Sequence, residues 1–592
     1  MILKALYDYY HRSKGLARPG LEYKELAFLI VIDEQGRFLR LEDSRIDAKR
    51  SKSYLLPKAV NRTSGQAANL CWDNCSYVLN LSEATVLHEA STAGSEEDQG
   101  KSGKKKKEKK NCEVFAEKIA EYYAALPQNK ALKALQLFYE QGSETILASM
   151  QADPLWEELC KNLACNLSFR LNGADRIVPE DPQIVAHYLE VLSDSQSKMP
   201  RHACLVTGKE GYIVKLTTAT PIVGSQATAK LVSFQENSGY DSYGKTKAYN
   251  APISHEAEFA YTSALKHLLG KDSRNMFRIG TRTFVFWAST DSPTGQQAEE
   301  CFFSFLNLQG GESDDPDRGI AKVEKTFKSI FSGELKTADD DRFFILGLAP
   351  NAARLAVVYW REIPIREFAG NILQHFEDMD LIDTRPEKRP YKGMYSMLSA
   401  VTLEGKSSEV QPNLPDALVK SIFQHLPYPY ALYSACIRRI RAEQSVTIAR
   451  AAIVKAYLNR QPNNHHKLIA MLDSSNKNAG YVCGRLFATL EYLQKKSSGI
   501  DSIRQRYLNA ASTTPAAVFG NLMNLSVHHE EKLNEASMTF FRKLKNEIFD
   551  LLSSDGFPAH LDIQDQGRFF VGYHHQMAEF YRKKDVDKEN ME

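Results

Sequence analysis

β-strand signals in this 592-residue chain stop at about residue 410. Upstream, apolar runs such as "LAFLIVIDEQGRFLRLED", "HACLVTGKEGYIVKL", "RTFVFWAST" and "RFFILGLAPNAARLAVVYWREIPI" alternate with helical stretches. Downstream, "DALVKSIFQHL", "ALYSACIRRIRAEQSVTIARAAIVKAYLNR", "AGYVCGRLFATLEYLQKK" and "EEKLNEASMTFFRKLKNEIFDLLSS" carry only the i, i+3, i+4 apolar spacing of amphipathic helices. A chain that mixes strand and helix periods upstream and carries only the helix period downstream is expected to be α+β. A mixed body with antiparallel hairpins should precede a C-terminal helical bundle.

The length exceeds what one growing core supports, so several domains are expected. Residues 1–89 read as an α+β segment, opened by the amphipathic helix "MILKALYDYYHR" and a hairpin turning at Asp33–Gly36. Residues 90–112 form a low-complexity insertion with seven Lys between 101 and 110. Residues 113–200 are mostly helical, starting from the spacing of Phe115, Ile119, Tyr122 and Leu126. Residues 201–409 make an α+β body with a polar loop at 225–254, and 410–592 the bundle.

Chemistry-bearing patterns are sparse. No P-loop, GxSxG elbow, HExxH or dinucleotide-binding glycine pattern occurs. The nine cysteines are scattered, which suits a reducing cytoplasm. Cys71 and Cys75, and Cys160 and Cys165, lack zinc-knuckle spacing and read as buried thiols. The histidine pairs at 465–466, 528–529 and 574–575 are adjacent residues, which diverge on a helix and read as exposed or capping groups. Asp339, Asp340 and Asp341 are a solvated loop or a Mg²⁺ site. No apolar run approaches a membrane span, and the N-terminus lacks a signal-peptide core. No cofactor is expected, and binding is favoured over catalysis.

Charge is local. The net charge is +2, yet Arg37–Arg62 holds eight Lys/Arg against three acids, and Ala431–Lys467 seven against one. Such runs mark either a polyanion footprint or solvated faces. Phosphates are held by ammonium, guanidinium, amide and hydroxyl donors, while aromatic rings stack on bases. The polar loop supplies Ser225, Gln226, Lys230, Gln235, Asn237, Tyr240, Tyr243, Lys245 and Lys247. "NRTSGQAANLCWDN" supplies Asn61, Arg62, Ser64, Gln66 and Asn69, with Trp72 read as a core anchor.

Several segments in one order carry a resemblance: "MILKALYDYYHR", "GQAANLCWDNCSYVLNL", "ACLVTG", "LVSFQENSGYDSYGKTKAYNAPIS", "HEAEFAYTSALKHLL", "RTFVFWA", "FFILGLAPNAARLAVVYW", "YVCGRLFATLEYLQKK" and "DQGRFFVGYHHQ". Together they resemble the large subunit of the type I-C CRISPR surveillance complex, Cascade, nearly end to end. The Lys-rich 90–112 insertion is not part of that pattern. The resemblance implies a non-enzymatic scaffold that reads the protospacer-adjacent motif on target double-stranded DNA. It would help open the duplex, stabilise the R-loop and offer a platform to a separate helicase-nuclease, while guide RNA supplies sequence specificity. Implied partners are the guide RNA ribonucleoprotein, the target duplex and its displaced single strand, and the backbone, crRNA-processing and small subunits.

Residues 471–592 resemble that small subunit, which the family translates from an internal start. Met471 is then a candidate start, or else a core methionine. Arg438, Arg439, Arg441, Arg485, Arg504 and Arg506 become candidate contacts along the displaced strand or heteroduplex, or else ordinary surface arginines. The polar loop meets the target duplex or docks a subunit. A nuclease built on Asp339–Asp341 and a general RNA-binding protein are the competing functions.

Overall fold

The computed structural model describes all residues except 48–49, 61–65, 82–110, 237–241, 271–272, 280, 307–316, 333, 339, 386–390, 407–408, 463, 465 and 583–592; the side chains of 242 and 317–321 are also outside the description. The chain is α+β and groups into two compact units. One holds Met1–Ser13, Thr217–Gln235 and Ala264–Glu592; the other holds Lys14–Leu216 and Glu236–Ser263. These units cut across the five segments expected from the sequence.

In the Lys14–Leu216 unit the strands are β1 (Leu21–Glu25), β2 (Phe28–Ile32), β3 (Phe38–Asp43), β4 (Ser53–Pro57), β5 (Trp72–Asn74), β6 (Asn166–Leu171), β7 (Arg201–Ala203) and β8 (Glu210–Tyr212). A four-stranded sheet has the order β3-β2-β6-β5; β1 pairs with β4 and β7 with β8. The β2–β3 hairpin forms where the sequence places it. Asp33 Oδ1 accepts from the Gln35 and Arg37 amides at 2.9 and 2.8 Å, and Gly36 takes φ 75°. A side chain at Gly36 would collide with the backbone of the helix Lys130–Glu140.

β2 is buried at every position because it is covered on both faces, and it runs parallel to β6. β6 lies inside the 113–200 stretch expected to be mostly helical. Its alternation of Leu167, Phe169 and Leu171 was the available sign, outweighed by the helices around it. Trp72 is 1% exposed and donates to the Pro57 carbonyl at 3.0 Å, the core anchor expected of it.

In the other unit, β9 (Met276–Ile279), β10 (Arg282–Ala288), β11 (Arg342–Asn351) and β12 (Arg354–Pro364) form an antiparallel sheet in the order β12-β11-β10-β9. The first helix, Ile2–Arg12, lies on this sheet: the Tyr9 ring meets Trp287 at 6.3 Å and Arg12 donates to the Ala288 carbonyl at 2.5 Å. The sheet and the C-terminal helices share one apolar core. Phe302 on the helix Pro293–Leu306 meets Phe423 on the helix Leu414–Phe423 at 5.1 Å, and the cluster continues to Phe569 and Tyr573. The run "ALYSAC…AYLNR" breaks into helices Tyr430–Glu443 and Ile448–Asn459, because Gln444 is left-handed and Thr447 caps the second.

The tightest packing joins the helices Ala479–Ser498 and Ile563–Tyr581. A Cβ at Gly480 would strike the Asp565 carbonyl, one at Gly484 the Phe569 carbonyl, and one at Gly572 the Tyr481 carbonyl. Glycine alone lets two helical backbones approach this closely. The seam between them buries polar pairs. The Tyr481 hydroxyl bonds His575 Nδ1 at 2.9 Å, and the Tyr573 hydroxyl donates to Glu491 Oε2 at 2.9 Å.

Two outcomes follow from this seam. Gly484→Ala should destabilise the chain by about 1–3 kcal/mol through overpacking. Gly520→Ala, where no atom lies within 4 Å of the added methyl, should be neutral or stabilising in the same thermal melts. Burial raises the Glu491 pKa from 4.5 to about 7. The folded chain therefore retains a proton that the unfolded chain releases, and this contribution to stability is lost as pH rises from 4.5 through 7. Glu491→Gln should remove that pH dependence, which in the wild type amounts to about 3 kcal/mol between pH 4 and pH 8. Superimposable pH profiles for the two proteins in urea unfolding would refute it.

Candidate nucleic-acid interface

The long polar segment is tied down in two pieces. Within the Met1–Ser13/Ala264–Glu592 unit, residues Thr217–Gln235 add to the tip of the β11–β12 hairpin. Lys230 forms a parallel bridge with Arg354, and its carbonyl accepts from the Leu355 amide at 3.0 Å. The Gln226 amide donates to the Ala352 carbonyl at 3.2 Å. Ser225 closes a turn: its Oγ donates to the Ile222 carbonyl at 2.8 Å and accepts from the Ile222 amide at 3.0 Å. Ser225 is thus occupied by its own backbone, whereas the Gln226 and Gln235 side chains are exposed.

Within the other unit, Tyr243 and Lys245 are exposed, and Tyr243 is left-handed at φ 54°. Lys247 pairs with Glu236 at 3.1 Å. Asn250 was not singled out from the sequence. Its Nδ2 donates to the carbonyls of Lys245 and Lys247 at 3.1 and 3.0 Å, strapping the arch. Asn69 is 5% exposed and structural: its Oδ1 accepts from the Val60 amide and its own amide donates to Asp73. Gln66 is exposed. Asn61, Arg62, Ser64, Asn237 and Tyr240 lie outside the described residues.

At least seven of the fifteen Lys and Arg in the two basic runs are paired with carboxylates of the chain. Arg37 pairs with Asp33, Arg40 with Glu42, Arg45 with Asp43 and Glu158, and Arg50 with Asp47. Two of these acids, Asp33 and Glu158, come from outside the run. In the second run Arg439 and Arg450 both pair with Glu443, and Arg460 holds Asp378 at 2.6 Å. Lys455 is 3% exposed and donates to the carbonyls of Glu377 and Asp378. A cleft of about 550 Å³ here is lined by Lys455, Arg460, Lys467, His425, Asp378 and Asp380, so both signs of charge face into it.

The candidate arginines separate by burial. Arg485 is 4% exposed and donates to Gln576 Oε1 at 3.1 Å, and burial lowers its pKa. It is a core residue with no guanidinium face left for a strand, which corrects the surface reading. Arg441 donates to Gln566 at 2.5 Å, and Arg504 is shared between Glu491 and Asp501 at 3.6 and 3.5 Å. Arg438 and Arg506 are exposed. Met471 is 52% exposed, ahead of the helix Ala479–Ser498, so it is not a core methionine.

Elsewhere, Asp341 is 6% exposed, and its carboxylate accepts from Thr290 Oγ1 at 2.8 Å and the Ala338 amide at 3.1 Å. Those bonds position β11. Asp340 is exposed, and Asp339 lies outside the described residues. Among the described residues no group of three or more His, Cys, Asp or Glu is placed to hold a metal ion. Cys71 and Cys75 are buried; Cys160 and Cys165 are half-buried. His575 is 1% exposed, with its pKa driven down to about 3 by burial, so the 574–575 pair is not the surface feature expected; His528 is exposed. His465 and the Lys-rich 101–110 run lie outside the described residues. No described helix is long and apolar enough to cross a membrane.

No curated protein matches the chain. A family model described as CRISPR-associated protein (Cas_Csd1) matches residues 6–581, and so spans both units and, apart from residues 1–5, every segment that carried the resemblance. The chain therefore belongs to the Csd1 family of CRISPR-associated proteins, the large subunits of type I-C Cascade.

Proposed function

We propose that this large subunit recognises the protospacer-adjacent motif on target double-stranded DNA, helps open the duplex and stabilises the R-loop, without catalysing bond cleavage itself. Lys245 carries the reading. It is an exposed ammonium on an arch whose backbone is fixed by Asn250 and by the Lys247–Glu236 pair. A cation with no internal partner among the described residues, on a held backbone, is suited to a phosphate, and amide donors of the same polar segment such as Asn237 suit base edges. Gln226 and Gln235 offer further exposed amides in the other unit. Strand exchange between guide and target is nearly balanced in energy, so a few such contacts can tip it.

Arg438 and Arg506, exposed on their helices, are assigned to the displaced strand or the heteroduplex. The helical end, from Met471 onward, is assigned as the part similar to the small subunit, and the surface of the assembled subunit as the platform for the helicase-nuclease. Guide RNA, the backbone and crRNA-processing subunits complete the proposed partners. The carboxylate-nuclease alternative is weakened because both oxygens of Asp341 are engaged in the fold.

Lys245→Ala combined with Asn237→Ala should weaken target-duplex binding by the assembled complex about tenfold in filter binding. Its size-exclusion profile should match wild type. A variant complex that falls apart would assign the arch to subunit docking and contradict the proposal.

A further inference from the structure

Tyr243 is 99% exposed, the most exposed of the large apolar or aromatic side chains among the described residues. Its backbone is left-handed at φ 54°, ψ 34°, followed by Gly244 at φ 71° and Lys247 at φ 51°. A non-glycine residue in this region is disfavoured by contact between Cβ and the following carbonyl. It persists only where the surroundings enforce it. Here they do: Asn250 bonds two carbonyls of the arch, and the Ala248 amide donates to the Lys215 carbonyl at 3.2 Å, with Ala248 itself 4% exposed. The fold thus maintains a strained arch whose tip is an unburied phenol ring. Neither feature stabilises the isolated unit.

The residues beside the ring indicate what covers it. The local sequence is Ser242, Tyr243, Gly244, Lys245, Thr246. No apolar side chain lies within this pentapeptide to extend a hydrophobic docking patch of the kind that surrounds an aromatic anchor in a protein interface. Instead the ring has a glycine next to it, which leaves its face open, and an exposed ammonium two residues on. An isolated ring beside a cation suits one partner well, an unstacked nucleobase with its phosphate.

We propose that Tyr243 is a stacking platform for one unpaired base of the opened target, with Lys245 on the adjoining phosphate. The inference rests on the target-binding reading above and adds the single-stranded character of the ligand. Because stacking uses the ring face and not the hydroxyl, phenylalanine can replace tyrosine. An aliphatic side chain of similar bulk cannot.

The test uses the complete assembly with guide RNA and target duplexes carrying 2-aminopurine at successive positions of the displaced strand. Wild type and Tyr243→Phe should quench the fluorophore at one position, which stays bright with Tyr243→Leu and Tyr243→Ala. Target affinity should fall about tenfold with the latter two. Asn250→Ala, which frees the arch while keeping the ring, should reduce the quench partially. Tyr243 makes no core contact, so all variants should assemble, as checked by size exclusion. If Tyr243→Ala leaves every position unchanged, or if leucine serves as well as phenylalanine, stacking is overturned. If the Lys245 and Asn237 substitutions still weaken duplex binding, the target-binding reading survives that failure. Binding unaffected by omission of this chain would overturn both.

Discussion

The approach of Gly484 to the Phe569 carbonyl sets the geometry of the helical end. Gly480 and Gly572 repeat it one turn away on either side, so the helices Ala479–Ser498 and Ile563–Tyr581 touch backbone to backbone. At that separation every long side chain leaving the seam must run along it. This explains why Tyr481, Arg485, Glu491, Tyr573, His575 and Gln576 are buried yet paired with one another. Gly567 extends the close approach to Tyr433 and Val454, which ties the seam to the preceding helices. Through Phe423 and Phe302 the same core reaches the β9–β12 sheet. Helical end and sheet are therefore one folding unit, with the first helix packed against Trp287.

Charge follows the same logic. A count along the chain registers guanidinium groups but not where their partners come from. Asp378 lies on the helix Ile365–Met379, far in sequence from Arg460, yet it neutralises it; Glu443 serves two arginines. Buried lysine and arginine are retained because each has a carboxylate, a backbone carbonyl or, for Arg485, an amide oxygen, since a bare buried charge would be prohibitive. Once these pairs are set aside, the exposed cations with no described carboxylate partner, Lys245, Arg438 and Arg506 among them, are spread along the chain and not gathered in the basic runs.

Local patterns in the sequence were legible where the physics is local. The Asp33–Gly36 turn, the helical spacing of Phe115, Ile119 and Tyr122, and the anchor Trp72 all read correctly, because turn chemistry and periodicity act over a few residues. Non-local pairing was not legible. β6 joins β2 across more than a hundred residues, and the first helix packs on a sheet far downstream. Arg485 looked like a surface arginine because its partner Gln576 lies on a helix brought near only by the glycine seam. The GxxxG spacing of Gly480 and Gly484 was the one available hint. Of the candidate interface, the donor-rich composition was visible, while the commitment of Ser225, Asn69 and Lys247 to their own surroundings was not.

The proposed function places target contacts on three exposed cations, Lys245, Arg438 and Arg506, and not on the basic runs as wholes. The salt dependence of target affinity measures it directly, since each neutralised phosphate contributes a log–log slope of roughly 0.9. Replacing Lys245, Arg438 and Arg506 by alanine in the assembled complex should reduce that slope by about 3. An unchanged slope would contradict the account.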